Sequence, residues 1–553
     1  MTAADDPTNL PEVYSQAMLA RNLAALDESD PELARRVRLP VDGSHVTFEA
    51  DGAAFYRLNR GRFPLAVEPT RRKTARRVLC LGIGLGEELE RVLDERTAAE
   101  VVAWERDPWL LRLWLMRADR SEELGSGRLR LALGADLLDV APAEMEIVEH
   151  PFLGQVYARE IRLLRAGVGP KRALLCEGGL FVDQIGDALR SLGYDLWTLD
   201  LVRLAVEELD RTVERFDPEL VAGINYTNGL AEFCRKHRRK LLCWEIDPST
   251  TLPRLEGGAP EAFVFTWRKA NVEVYRSRGF ERVFHLPLAA DPEIRSPAEL
   301  TPAERERYGA PIAFVGSSLI RNVEAFRRRF VEAFRSWSGS AEEGERVVQS
   351  VLAAQRADFS TWRGPELLEA EAPGFLAATS DDGRGDDVTD DPLVLLGEIA
   401  ASEKRLSYVA NLGSLGIVVW GDKGWKLAER YGVRYAGPAA HKHELTRIYN
   451  ATMVNVDVGR LYQSDIVTMR TFDVLACGSF VLVEHTDDLE ELFELGVEVE
   501  SYRTLEELRE KAAFYMSHPE RAAEIARRGR AAVLERHTVR ARVEHMLSVM
   551  GTA

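Results

Sequence analysis

The chain has 553 residues, which suggests three or four domains at roughly 150 residues per domain. It carries 72 Lys and Arg against 89 Asp and Glu, and the resulting net charge of −17 argues against a protein that binds nucleic acid or anionic membranes. Apolar residues make up 46% of the chain, which excludes disorder throughout. The acidic N-terminus lacks the apolar core of a secretory signal, and no apolar run approaches the ~18 residues of a membrane helix. We therefore expect a cytoplasmic protein without a membrane span.

One pattern recurs three times along the chain. A short apolar run ends in small residues, mostly glycine, and is followed by an amphipathic helical stretch, at 77–93, 172–194 and 311–330. Apolar runs of this length are typical of buried parallel strands, and glycine at their end allows a sharp turn into a helix. Each occurrence predicts the first strand and helix of a Rossmann-like sheet.

The first half of the chain is predicted to hold two α/β units. A helix over 10–26 and a hairpin over 44–52 precede the first unit, which covers 77–165. Six strand-like runs then alternate with helical stretches between 170 and 290. This predicts an N-terminal domain over 1–165 and a second Rossmann-like domain over 166–300.

The second half is predicted to form a third Rossmann-like domain over 301–553. A helical insertion interrupts its sheet at about 340–400, and three helical stretches after 503 close the chain. The insertion contains an acidic Gly/Asp tract at 380–392, for which we expect a solvated loop. The predicted fold class is therefore α/β with three Rossmann-like units.

A glycine loop follows the first predicted strand, in the stretch LGIGLGEEL. Gly82, Gly84 and Gly86 permit close approach of a ligand to the backbone, and Glu105 ends the next strand, where an acidic residue can accept from ribose hydroxyls. With Asp136 in the following GADLLD, the loop resembles that of S-adenosylmethionine-dependent methyltransferases. The resemblance implies a nucleoside site, in a domain that is either an accessory or an active methyltransferase.

The C-terminal segment contains several motifs in a fixed order: FDVLACG, then the strand SFVLVEH, then DDLEELF, then SHPERAAEIARRGR. In this order they resemble the C-terminal half of group 1 glycosyltransferases, in particular the spore-maturation-protein (CgeB-like) type. CWEIDPST and HLPLAADP resemble the N-terminal half of that family, so that the resemblance covers about 172–550. It implies the GT-B fold, in which the last two Rossmann-like domains form a pair.

The resemblance also implies a set of residues that bind a nucleotide-sugar donor. Asp473 matches the acidic residue that holds the donor ribose, where Glu is usual, and Arg470 lies one helical turn before it. Asp465 matches a second, loosely spaced acidic residue of the family. Arg321 and Lys423 follow strands of the third sheet, where the family places basic residues against the diphosphate. From the other domain, Gly178 and Gly179 either approach the donor or only form a turn.

The sequence offers one candidate for a general base and two histidines that could be considered as metal ligands. Asp247 occupies the Asp-Pro motif of the family and is the candidate for taking the proton of the acceptor hydroxyl, although an Asp-Pro pair also initiates turns. His441 and His443 have no accompanying pattern of Cys or carboxylate ligands. We therefore predict no metal. The sequence does not distinguish an inverting from a retaining enzyme.

The predicted function is a metal-independent glycosyltransferase of the hexosyltransferase type. It would move a sugar from a UDP-, GDP- or dTDP-sugar to a glycan, protein or small-molecule acceptor. The alternative is an S-adenosylmethionine-dependent methyltransferase whose C-terminal part is a glycan- or nucleotide-binding module. A third interpretation is an interaction protein whose sites have degenerated, which predicts that neither ligand binds.

Overall fold

The computed structural model describes residues 10–58, 61–67, 75–247, 252, 254–380, 391–441 and 443–552. The chain forms two compact units. One comprises Met1–Ile224 with Phe233–Leu242, and the other comprises Asn225–Glu232 with Cys243–Ala553. Within the described part of the chain, no helix combines the length and the hydropathy needed to cross a bilayer. Most of the acidic tract predicted to be a loop, 381–390, lies outside the described residues.

Two helices and a three-stranded antiparallel sheet begin the chain, where the sequence predicts one helix over 10–26 and a hairpin over 44–52. Ser15 caps the first helix by accepting from the amide of Met18, and Asp30 caps the second by accepting from Leu33. The sheet has the order β1-β2-β3. The elements are α1 (Gln16–Ser29), α2 (Pro31–Val37), β1 (Val46–Phe48), β2 (Ala54–Leu58) and β3 (Gly61–Pro64).

The first Rossmann-like sheet is four-stranded and parallel, in the order β6-β5-β4-β7. Its strands are β4 (Arg77–Leu81), β5 (Glu100–Glu105), β6 (Leu129–Leu133) and β7 (Glu146–Glu149). The helices are α3 (Glu87–Glu95), α4 (Pro108–Arg117), α5 (Ser121–Gly125), α6 (Leu153–Val156) and α7 (Ala158–Ala166). All but the first residue of β4 are buried, which explains its unbroken apolar run.

The second sheet contains all six strands predicted between 170 and 290, in the order β13-β12-β11-β10-β8-β9. They are β8 (Arg172–Cys176), β9 (Asp195–Leu199), β10 (Leu220–Ile224), β11 (Lys240–Glu245), β12 (Ala262–Thr266) and β13 (Arg282–His285). The helices are α8 (Val182–Ser191), α9 (Val206–Phe216), α10 (Leu230–His237) and α11 (Lys269–Ser277). The boundary between the two compact units runs through β11.

The third sheet has six parallel strands in the order β16-β15-β14-β17-β18-β19. Counted from its own first strand, this is the 3-2-1-4-5-6 order of the Rossmann fold. The strands are β14 (Ala310–Val315), β15 (Ile417–Trp420), β16 (Arg434–Gly437), β17 (Thr452–Asp457), β18 (Val481–Glu484) and β19 (Glu500–Tyr502). Connections diverge on either side of β14, so the carboxyl end of this strand is the topological switch point, where open α/β sheets bind ligands.

The helices that accompany the third sheet include those of the predicted insertion. Phe330, Phe334 and Phe375 belong to a separate apolar core that joins the insertion to the long helices before and after it. The helices are α12 (Pro302–Tyr308), α13 (Ile320–Ser338), α14 (Ala341–Gln355), α15 (Gly364–Glu371), α16 (Phe375–Ser380), α17 (Pro392–Asn411), α18 (His443–Ala451), α19 (Met469–Ala476) and α20 (Asp487–Leu492).

Three helices close the chain, again as predicted: α21 (Leu505–Ser517), α22 (Pro519–Arg536) and α23 (Val539–Met550). Hydrogen bonds attach the last of them, α23, to the segment that follows β13. Ala290 donates its amide to the carbonyl of His537 and accepts from the amide of Val539. Arg542 adds hydrogen bonds to the carbonyls of Pro287 at 2.9 Å and Leu288 at 3.1 Å.

The predicted fold class is confirmed: the chain is α/β, with three Rossmann-like sheets, a helical insertion and terminal helices. That the second and third sheets form a GT-B pair stays a prediction. The division into three domains also stays a prediction. Each of the three predicted Rossmann starts is the first strand of its own sheet, but the chain forms two compact units.

Candidate functional site

A pocket of about 300 Å³ opens at the carboxyl ends of β14 and β15. Gly316 and Gly421 follow these two strands, and the Gly316 amide donates to the carbonyl of Trp420 at 2.9 Å. A Cβ on Gly316 would lie 2.7 Å from Nη2 of Arg470, so a side chain here would displace that guanidinium. We call this cavity the strand-end pocket; its lining includes Gly316, Gly421, His441, Tyr449, Arg470 and Asp473.

Asp473, the predicted ribose ligand, lies in α19 and lines the strand-end pocket. Its carboxylate is buried and accepts a hydrogen bond through Oδ2 from Nε of Arg295 at 2.8 Å. Burial raises the pKa of Asp473, and the charge of Arg295 opposes this shift. Sequence reasoning missed Arg295 because it lies in the connection after β13, where no pattern marks it as a site residue.

Arg470, the predicted diphosphate ligand, also lines the pocket but is tied into the protein. Its Nε donates to the carbonyl of Val315 at 2.6 Å, and Nη1 forms an ion pair with Asp457 at the end of β17. Thr471 donates to the same Asp457 carboxylate at 2.8 Å. Asp457 therefore fixes the first turn of α19 against the sheet, and Nη2 is the part of Arg470 that remains for a ligand.

Arg405 of α17 is a second cation at this end of β14, and sequence reasoning missed it. The side chain is buried, and Nη1 donates to the carbonyl of Ser317 at 2.9 Å, in the turn before α13. Its Nε has no hydrogen-bond partner among the described residues. Burial, reinforced by the charges of Arg470 and Arg460, lowers the pKa of Arg405. Such a guanidinium is short of negative charge, which an anionic ligand would supply.

The other predicted donor residues of the third sheet do not line the strand-end pocket. Asp465 forms an ion pair with Nη2 of Arg268 at 2.9 Å and accepts from the amide of Ala270 at 3.3 Å. Arg321 is an exposed residue of the first turn of α13, and Lys423 is exposed at the start of the short helix after β15. Their role in donor binding stays a prediction.

The predicted residues of the second sheet are split between the two compact units. Asp247 is exposed just after β11, and its amide donates to Oδ1 of Asn225 at 3.0 Å. Its neighbours 248–251 lie outside the described residues. Gly178 and Gly179 have positive φ of 106° and 93°, and a Cβ on Gly179 would lie 3.0 Å from Ile224, so these glycines at least form the turn. Catalysis by Asp247 and donor contact by the glycines stay predictions.

The N-terminal glycine loop, predicted to form a nucleoside site, makes close contacts with side chains of the protein itself. Glu105 is buried, and its carboxylate accepts from the loop amides of Ile83 at 2.7 Å and Gly84 at 3.3 Å, and from the hydroxyl of Tyr157 at 2.5 Å. A Cβ on Gly84 would lie 2.7 Å from the imidazole of His150. The glycines thus make room for side chains, and the structure gives no support to S-adenosylmethionine binding.

The other two glycines of the loop also lie against side chains of the protein. Gly82 faces Leu153, from which a Cβ would be 2.9 Å away, and Gly86 faces Trp114. Asp136 is paired with Arg36 at 2.6 Å and with Arg211 at 2.8 Å. Burial raises the pKa of Asp136, but the charges of the two arginines outweigh this effect, so the pKa is lowered. Asp136 thus already has two arginine partners, and its role in a nucleoside site stays a prediction.

The described part of the chain contains no group of three or more His, Cys, Asp or Glu side chains that could hold a metal ion. His441 lines the strand-end pocket, and its carbonyl accepts from Nη2 of Arg295 at 2.7 Å. The prediction that the enzyme needs no metal is therefore left as a prediction.

Comparison with known proteins bears on the part of the chain that forms this site. Residues 403–548 match the model of a family described as glycosyl transferase-like, which confirms the predicted resemblance over that segment. The match includes β15–β19 and most of the strand-end pocket. No protein of curated function matches the sequence.

Solved structures of glycosyltransferases are also similar to the chain. A glycosyltransferase from Rickettsia africae ESF-5 is 9% identical, with 70% of this chain and 100% of that chain covered, at a TM-score of 0.40. The sucrose-phosphate synthase of Thermosynechococcus elongatus is 12% identical, with 69% and 98% covered, at a TM-score of 0.40. Anabaena Alr3699/HepE, in complex with UDP, is 12% identical, with 69% and 100% covered, at 0.36.

Proposed function

We propose that the protein is a glycosyltransferase that uses a nucleotide-sugar donor. The observation that carries the proposal is the strand-end pocket, which lies at the switch point of a Rossmann-ordered sheet and is lined mostly by residues of the segment similar to glycosyltransferases. Its volume of about 300 Å³ lies at the lower end of the range typical of small-molecule sites and suits a nucleoside. It combines an acidic group with a cationic one, and a donor carries both ribose hydroxyls and phosphates.

The donor would be held by its ribose and its diphosphate. Asp473 would accept hydrogen bonds from the ribose through Oδ1, which has no donor among the described residues. The diphosphate would lie against Nη2 of Arg470, and the buried guanidinium of Arg405, which does not line the pocket, would add its positive charge from behind. The N-terminus of α13 follows the turn after β14: its N-cap residue Leu319 has a φ of 63° and its side chain caps no amide, while Ser318 accepts from the amide of Ile320 at 3.3 Å. Uncapped amides at a helix N-terminus favour phosphate.

Transfer itself would break the bond between the anomeric carbon and the phosphate oxygen and form one to the acceptor oxygen. We propose Asp247 as the base that takes the acceptor proton, should the enzyme invert configuration. The finer assignments belong to the same proposal: a GT-B enzyme of the spore-maturation-protein type, transferring a hexose without a metal. Arg321, Lys423 and Asp465 are retained as further candidates for donor contact.

A binding screen tests the proposal. Isothermal titration with UDP-, GDP- and dTDP-sugars should show one nucleotide class binding to the wild-type protein, whereas S-adenosylmethionine should not bind. Failure of all three donors with folded protein, as judged by a cooperative melting transition, would reject the proposal.

The variant Asp473→Asn tests the site within that screen. A charge-assisted hydrogen bond contributes about 1.5–3 kcal/mol, so donor affinity should fall roughly ten- to a hundredfold. The melting temperature should also fall, because Arg295 loses the charge of its buried partner. Arg305→Met, at an exposed position of α12, is the control and should change neither quantity. Unchanged donor affinity in Asp473→Asn would remove Asp473 from the site.

A further inference from the structure

We propose that Arg295 is a positioning residue, which holds the Asp473 carboxylate ionised and turned toward the strand-end pocket. This inference rests on the proposed function, because it assigns Arg295 a task in donor binding. Asp473 lines the pocket, whereas Arg295 contacts Asp473 without lining it. Arg295 therefore acts from behind the carboxylate and would not touch the donor.

The geometry of Arg295 leaves its guanidinium little freedom. Nε donates to Oδ2 of Asp473 at 2.8 Å, and Nη2 donates to the carbonyl of His441 at 2.7 Å. Nη1 lies 3.3 Å from the hydroxyl of Thr446, which itself donates to the carbonyl of Ile294 at 2.8 Å. Arg295 and Asp473 are both buried, with 4% and 5% of their surface exposed. A planar guanidinium fixed at three points sets the plane and the position of the carboxylate that it binds.

The backbone that carries Arg295 is equally fixed. Asn450 of α18 donates to the carbonyl of Ser296 at 3.1 Å and accepts from the amide of Ala298 at 3.0 Å. The segment after β13 is thus fastened to α18, and Arg295 reaches across that helix to α19. Three separate parts of the chain must be in place before the carboxylate can take its position.

The charge on Asp473 depends on this contact. A buried carboxylate without a cation takes up a proton, and a protonated acid can accept less strongly from ribose hydroxyls. The charged groups that influence it besides Arg295 are His441 and Arg470, and its charge in turn affects Tyr449 and Cys477. Arg470 is already paired with Asp457, so Arg295 is the cation bonded directly to Asp473.

The experiment compares donor affinity across pH 6 to 9 for the wild type, Arg295→Met, Asp473→Asn and Arg295→Lys. The donor is whichever nucleotide-sugar binds the wild type. We expect wild-type affinity to be flat, whereas Arg295→Met binds at least tenfold more weakly at pH 6 and recovers as pH rises and Asp473 ionises. Asp473→Asn should bind weakly at every pH. Arg295→Lys keeps a charge and should restore the flat profile.

Thermal melting supplies a second readout that needs no donor. Without Arg295, the pKa of Asp473 rises further above its unfolded value, so protonation at low pH relieves the buried charge. The drop in melting temperature caused by Arg295→Met should therefore be smaller at pH 5 than at pH 8. In the Asp473→Asn background the same drop should not depend on pH. Arg305→Met is the control for loss of a charge.

The possible results separate the two proposals. If the wild type binds a donor and Arg295→Met binds it equally well at every pH, the positioning role is wrong while the proposed function stands. If no donor binds the wild type, the proposed function fails and the inference fails with it. If Arg295→Met is too unstable to study, Arg295→Lys decides the question. Donor affinity that is flat with pH, as in the wild type, supports the role of Arg295. A pH-dependent loss of donor affinity overturns it.

Discussion

For Arg405 we predict that substitution has opposite effects on stability and on donor binding. Its guanidinium is buried beside two other arginines and bonded to one carbonyl, and burial lowers its pKa. Arg405→Met should therefore leave the melting temperature unchanged or raise it, because replacing a poorly paired buried charge is often stabilising by about 1–4 kcal/mol. Donor affinity should fall roughly tenfold in the same variant, because a positive charge close to the proposed phosphate position is lost.

Arg328→Met, at an exposed position of α13, is the matched control and should change neither stability nor affinity. Melting curves and titrations on the three proteins are sufficient for this test. A variant Arg405→Met that is less stable and binds the donor as the wild type does would show that the arginine has a structural role only.

Glu105 gives the N-terminal sheet a defined pH dependence. Burial, with a contribution from Asp107, raises the pKa of Glu105 from 4.5 to about 7. An acid whose folded pKa is raised stabilises the fold fully below the unfolded value and loses this contribution as pH rises through the folded value. The free energy of unfolding should thus decrease by about 3 kcal/mol between pH 4.5 and 7 on account of this group.

The measurement is chemical denaturation at several pH values for the wild type and Glu105→Gln. The variant lacks the titrating group, so this part of the pH dependence should disappear whatever its absolute stability. An identical pH profile in both proteins would mean that Glu105 keeps an ordinary pKa.

The turn between β4 and α3 is an element in which glycine serves packing. Gly84→Ala should destabilise the protein by about 1–3 kcal/mol, since the methyl group would meet the His150 ring and the residue has a φ of 58°. Gly52→Ala is the control: it also has a positive φ, 86°, but its Cβ would meet nothing within 4 Å. Comparing the two melting temperatures isolates the clash, and equal losses would indicate that the loop is open enough for a ligand.

Strands were predicted more completely than sites because their signal is local. Each buried strand is a short apolar run, as in β10 and β12, so that it can be recognised without knowing its neighbours. The function of the glycine loop could not be predicted, because the side chains that fill it, Trp114 and His150, come from later helices and loops. Arg295 was missed for the same reason, since its partner Asp473 is 178 residues away.

At the scale of the whole molecule, three arginines cluster beside the third sheet of this acidic chain. Arg405, Arg460 and Arg470 lie together, although the net charge is −17. Asp457 pairs with Arg470 and Glu398 pairs with Arg460, whereas Arg405 has no carboxylate partner among the described residues. An anionic ligand would supply that charge, so nucleotide-sugar should raise the melting temperature by an amount that grows with the logarithm of its concentration above Kd, if the proposed function is correct.

Ion pairs also connect the second and third sheets inside the larger compact unit. Arg268 and Lys269, at the end of β12, pair with Asp465 and with Asp488, the latter at 2.6 Å. A double-mutant cycle on Arg268→Ala and Asp465→Ala should give a coupling of roughly 0.5–1.5 kcal/mol at low salt and clearly less at 1 M salt. A coupling that is insensitive to salt would contradict an ionic contact. Donor titration of Asp465→Ala then decides whether the carboxylate has a second role.

The attachment of α23 to the segment after β13 affects how the protein is made. Arg542 and the carbonyl of Leu288 are separated by 254 residues, so the first partner leaves the ribosome roughly 10 to 50 s before the second. During that time the backbone groups of Ala290 lack their native partners, and the nascent chain cannot complete the larger unit. Translation pauses or premature stops before α23 should therefore produce a chain that chaperones retain and proteases remove.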